Sequence, residues 1–207
     1  MDVDVFVQTS LYFLALINPP SKVFLLSSMD PPYSRAELLK VSVTATSVAL
    51  AILLVLSGVG HVLLHEVFRV EIYSLQVAGG IVLFIIGLTA VRKGRFYEQD
   101  FHGGTDISIV PLAAPLIAGP GTITAAISFA ATHGITMTAL SLTTAVAANF
   151  LVMLMSLWIG RILQRLHAFG PLIRITGLIV TAVAVQMTLS GLSQWLGPLL
   201  SPVTTGS

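Results

Sequence analysis

Two short clusters place helix breakers beside hydrogen-bonding side chains in the middle of apolar runs. One is Asn18-Pro19-Pro20-Ser21-Lys22, inside "LALINPPSKVFLL" (14–26). The other is Gly119-Pro120-Gly121-Thr122, inside "APLIAGPGTITAA" (114–126). Gly and Pro in a helix interior cost roughly 1 and 3 kcal/mol against Ala. The prolines remove backbone donors and the glycines widen the accessible backbone angles. A helix is therefore expected to stop and restart near Ser21 and near Thr122. A restarting helix offers free N–H groups and the positive end of its dipole. That is chemistry for an anion, a carboxylate or a phosphate, bound mostly by backbone. Ser21 and Thr122 can cap the restarts or bond the ligand. Asn18 supplies an acceptor and donors, and Lys22 supplies a charge.

The elements that must hold these clusters read as membrane spans. Of 207 residues, 55% are hydrophobic and 9% charged, against about 25% charged in a soluble domain. The mean hydropathy is +0.94. A spanning helix needs about 20 mostly apolar residues, and six stretches qualify: 5–28, 41–64, 73–91, 107–130, 137–160 and 172–196. Charges fall almost entirely between them; Lys22 lies inside the first, and Arg174 at the start of the sixth. The C-terminal stretch 197–207 reads as a flexible polar tail. The 10 Lys and Arg nearly cancel the 9 Asp and Glu, which leaves no footprint for nucleic acid. There are no cysteines, hence no disulfide or thiolate metal site. The acidic start "MDVDVFV" lacks the basic region of a signal peptide, and none is expected.

Arg69 stands alone on one side of the six spans. Arg35, Lys40, Arg92, Lys93, Arg95, Arg161, Arg165 and Arg174 fall on the other. The positive-inside rule puts the second group in the cytoplasm and both termini outside a cytoplasmic membrane. The chain also repeats itself. Near an offset of 100, Asn18-Pro19-Pro20-Ser21 faces Gly119-Pro120-Gly121-Thr122, Thr44 faces Thr144, and Gly60-His61 faces Gly160-Arg161. The expected fold is all-α, one transmembrane domain of two inverted three-helix repeats, 5–91 and 107–196, with helices 1 and 4 interrupted near mid-membrane as broken spans or re-entrant hairpins. A kink or a close helix contact explains one isolated break. Paired breaks in corresponding halves point instead to a transporter binding site at the repeat interface.

Several other polar residues sit inside the spans. Gln186, Asn149, Thr44 and Thr144 are candidates for lining a pathway, with hydrogen bonding within or between helices as the ordinary alternative. Gly79, Gly80 and Gly177 are expected to let helices approach closely. His61 and His65 are spaced i, i+4 with only Glu66 beside them, too little for a metal site. No cofactor motif is present, and no HExxH or Ser-His arrangement marks an enzyme.

With the breaks identified, "IVPLAAPLIAGPGTIT" (109–124), "LINPP" (16–20), "VAGGIVLFIIGL" (77–88) and "RITGLIVTAVAVQMTLSGL" (174–192) resemble the MarC family of six-span membrane proteins. The similarity runs from about residue 8 to 195. It implies a carrier of small neutral amino acids such as alanine and glycine, related to the lysine-exporter superfamily. It also implies that Asn18-Pro19 and Gly119-Pro120-Gly121 are paired motifs of the substrate site. The first half departs from the NPxGxxP-like run of many members, reading Asn18-Pro19-Pro20-Ser21-Lys22-Val23. On this reading the substrate-binding set is Asn18, Pro19, Pro20, Ser21, Lys22, Gly119, Pro120, Gly121 and Thr122. Access would alternate by rocking of the two halves, either uncoupled or coupled to a proton or sodium ion. The alternative is a membrane assembly or regulatory protein that transports nothing.

Overall fold

A computed structural model describes residues 2–29, 32–94, 96 and 108–200, and all regular structure among them is helical. Helix α1 (Val3–Ile17) starts at Asp2, whose side chain accepts from the Asp4 N–H at 3.0 Å. It ends at Asn18, which adopts the left-handed conformation (φ 56°) and donates its N–H to Leu14 O. Helix α2 (Pro19–Ser27) follows at once. Helix α3 (Arg35–Val62) opens with a capping box, Ser34 and Glu37 each bonding the other's backbone N–H, and continues as a π-type turn, Leu63–Val67. Helix α4 (Ile72–Lys93) closes on Gly94 at φ 67°, the usual left-handed stop.

The second broken run begins as a wide π-helical segment, Ser108–Ile117. Pro111 and Pro115 cannot donate to an α ladder, and the segment closes with Ala118 N–H reaching five residues back to Ala113 O. Helix α5 (Pro120–His133) restarts from Gly119. Helices α6 (Ile135–Leu154), α7 (Ser156–Arg165) and α8 (Phe169–Leu200) complete the chain.

Among the described residues, four helices are long and apolar enough to cross a membrane: Arg35–Val67, Ile72–Lys93, Ile135–Leu154 and Phe169–Gly197. The first and fourth predicted spans are each two shorter segments. The fifth is divided too, by a turn at Met155, where neither Gly nor Pro gave a signal. Helix α8 continues to Leu200, through the first residues of the tail expected from 197; 201–207 lie outside the described residues, as do Arg95 and most of the 92–106 connection.

Two expectations about the breaks are corrected. The helices restart near Ser21 and Thr122, at Pro19 and Pro120, but the N-caps are Asn18 and Gly119 rather than Ser21 and Thr122. Proline fits the first helical position, where its fixed φ suits the helix and its missing N–H would be unpaired anyway. Gly119 takes an ordinary extended conformation (φ −84°, ψ 169°), so its role is not backbone freedom. At the first break that freedom is needed by Asn18.

Lipid tails are as apolar as leucine, so close packing rather than water exclusion must hold membrane helices together. The tightest seam joins α4 to α8. A Cβ on Gly80 would lie 2.8 Å from Ala184 O, and one on Gly177 3.1 Å from Gly87 O. Helix α1 packs on α6, α3 on α5 and α6, and α2 on α7. Each of these pairs takes one member from 5–91 and one from 107–196, so the two halves interleave. Fully buried side chains flank both breaks along the chain, Ile17 directly before Asn18 and Ile117 two residues before Gly119. Outward, Val55, Ile85, Leu151, Ile175 and Leu178 are each more than half exposed. A water-facing surface would not carry such a belt, and the protein is a multi-pass membrane protein.

Candidate functional site at the two helix breaks

The breaks meet. Lys22, 1% exposed, sends its ammonium to Ile17 O at the end of α1 and to Leu116 O at the end of the π-helical segment, the latter at 2.7 Å. Each helix C-terminus carries about −0.5 charge. Two of them together supply roughly what one carboxylate would, and this lets a buried lysine persist with no acid in ion-pair range among the described residues. An ammonium has three donors. One remains.

The backbone of Asn18 is fully occupied. Its N–H bonds Leu14 O, and its carbonyl accepts from the Ser21 N–H at 3.1 Å and from Ser21 Oγ at 2.8 Å. Its side chain is not. Asn18 is 6% exposed, and neither Oδ1 nor Nδ2 has a partner. Leaving such a group unpaired costs about 1–3 kcal/mol. Across from it, Gly121 and Thr122 are the second and third residues of α5 and have no carbonyl of their own helix to bond.

A cavity of about 30 Å³ joins these groups. Asn18, Ser21 and Lys22 line it from one break, and Gly119, Pro120, Gly121 and Thr122 from the other. Leu83, Ile86, Phe96 and Val180 form apolar walls. Gly121 is small because Leu83 presses on it: a Cβ would lie 2.9 Å from both Leu83 methyl groups. The space holds a few waters or a very small solute, far below the roughly 300–1,000 Å³ of drug-sized sites.

The two restarts are unequal. Pro19 and Pro20 have no N–H, and the Ser21 N–H is taken, so the first turn of α2 offers no free backbone donor. On the α2 side Lys22 replaces the missing donors. On the α5 side the backbone itself remains open. With both N-termini adding positive potential, the cavity favours an anionic group.

The other candidates lie elsewhere. Pro19 and Pro20 sit half-buried beside the cavity without lining it. Gln186 lines a separate cavity with Gln76, Ser128 and Ser190. Asn149 is fully buried in α6, donating to Met153 Sδ at 3.2 Å, its Oδ1 unpartnered. Thr144 bonds back to Leu140 O at 2.9 Å on an exposed face, and Thr44 lines neither cavity. His61 and His65 stack with centroids 5.9 Å apart, and His65 turns to Glu66. Sequence reasoning passed over Gln76 and Ser128, whose signal was only that they are polar residues in apolar runs.

The sequence pattern described as "MarC family integral membrane protein" matches residues 3–196. A UPF0056 membrane protein of Pyrococcus horikoshii is 32% identical over 188 residues, covering 89% of this chain and 91% of its own. The UPF0056 membrane protein YvbG of Bacillus subtilis is 31% identical, covering 90% and 93%. The UPF0056 inner membrane protein MarC of Citrobacter koseri is 28% identical, covering 86% and 89%. No solved structure matches the chain.

Proposed function

The chain belongs to the MarC family of integral membrane proteins, and from that premise we propose that it is a secondary carrier of small neutral amino acids, alanine or glycine, working by alternating access. The observation that carries the reading is the unpaired, buried Asn18 amide facing the same cavity as the Lys22 ammonium and the α5 N-terminus. The carboxylate of the substrate takes the third Lys22 donor and the Gly121 and Thr122 N–H groups. Its ammonium takes Asn18 Oδ1. The Leu83, Phe96 and Val180 walls leave room for a hydrogen or a methyl side chain and little more. A substrate with a positively charged side chain finds no partner, since no Asp or Glu lines the cavity. Six spans in two inverted repeats, with both termini outside, accompany this reading.

The test is uptake of labelled alanine and glycine into proteoliposomes, with and without a proton or sodium gradient. Saturable alanine uptake is expected, abolished by Asn18→Ala and by Gly121→Leu, whose side chain would fill the cavity. No substrate-dependent flux in the wild type would overturn the carrier reading. Unchanged flux in both variants would overturn the site.

A further inference from the structure

A second cavity, of about 130 Å³, lies among α1, α4, α5 and α8, four of the helices that also wall the first. On every helix its lining is displaced in one consistent sense. On α4 it moves from Leu83 to Gln76, on α8 from Val180 to Met187, on α5 from Gly121 to Ala125 and Ser128, and on α1 from Leu16 to Tyr12. Seven residues of helix is about 10 Å. The two spaces are therefore stacked, one chamber beyond the other. Between them the passage is narrow: a Cβ on Gly79 would lie 2.9 Å from Thr124 Cβ, and Phe13 is fully buried.

The outer chamber is polar without being charged. Gln76 Nε2 donates to Ser128 Oγ at 2.5 Å, Gln194 Nε2 donates to Gln76 Oε1 at 3.0 Å, and Gln186 Nε2 reaches Ser190 Oγ at 3.4 Å. The Gln186 carbonyl and the Tyr12 hydroxyl face no partner among the described residues. Donors and acceptors are thus both on offer, and the space is larger than the inner one.

We propose that this chamber is a second, outer binding site on the same path, holding a small zwitterion through uncharged amide and hydroxyl groups before or after it occupies the Lys22 site. The proposal rests on the carrier reading for its ligand. Without a charged partner the outer site binds loosely, which suits a waypoint that must also let go. The Gly79–Thr124 contact is the constriction the solute passes between the two.

The chain has no cysteine, so single cysteines report without background. Ser190→Cys and, separately, Ser128→Cys are treated in proteoliposomes with a membrane-impermeant methanethiosulfonate. Both are expected to react, and alanine at ten times its Kd is expected to slow the reaction about tenfold. The protection is expected to persist when Lys22→Met is added, because the outer site does not use that residue. Failure of both cysteines to react, reaction with no protection, or protection that Lys22→Met removes would each overturn the outer site. Uptake of labelled alanine is read in parallel. Flux without protection removes the outer site alone, whereas protection without flux keeps a binding chamber and removes the carrier.

Discussion

Replacing Lys22 by Met separates two jobs that its position combines. Methionine keeps most of the volume and none of the donors. On the stability side, Ile17 O and Leu116 O each lose their bond to the ammonium, at about 1–3 kcal/mol apiece. Against this, an ammonium no longer has to be kept out of water, which recovers several kcal/mol. The two nearly cancel. Unfolding stability is expected to move by no more than about 2 kcal/mol, or about 4–8 °C in Tm for a chain of this size. On the binding side nothing cancels. A charged hydrogen bond to the substrate carboxylate is worth about 1.5–3 kcal/mol, so alanine binding should weaken about ten- to 150-fold. Thermal unfolding in detergent and equilibrium binding of labelled alanine measure the two quantities on one preparation. A variant that loses far more than 10 °C while binding alanine like the wild type would refute the reasoning, and Lys22 would then be a clasp between two helix ends and nothing more.

Asn18→Gly relaxes a left-handed backbone and removes an unpaired buried amide. It should raise the Tm slightly while weakening alanine binding, and a loss of both together would contradict the assigned role. Gly177→Leu should destabilise by about 1–3 kcal/mol, because its Cβ already meets Gly87 O at 3.1 Å and Ala90 Cβ at 2.8 Å; thermal unfolding checks it. Thr144→Val should stay within about 0.5 kcal/mol of wild type and leave uptake unchanged, since its hydroxyl bonds only its own helix.

The sites of the breaks were legible because Pro and Gly act locally: two prolines after Asn18, and Gly-Pro-Gly after Ala118, end a helix in any surroundings. Their fine geometry was less so. Ser21 and Thr122 look like caps by residue type, yet proline's fit to the first helical position moved each restart earlier. The partners of Lys22 could not be read from spacing, since Leu116 lies 94 residues away and offers only its backbone. The turn at Met155 left no breaker in the sequence to find. Gln186 stood out as a polar residue in an apolar span, but Gln76 and Ser128 gain meaning only when packing brings them to the same chamber.

The glycine seam between α4 and α8 has a mechanical consequence. Backbones held at that distance have no side chains to slide on, so the two helices form one stiff plank made of a piece of each half. Lys22 fastens the two broken runs to one another in the same way, again across the halves. Both chambers lie along the line between: Leu83, Val180, Gln76 and Gln186 belong to the plank, and Asn18, Lys22, Thr122, Tyr12 and Ser128 face them. A movement that widens either chamber must shift the plank against the broken helices, and the first and second halves of the sequence, expected to rock apart, each end up with parts on both sides of the divide.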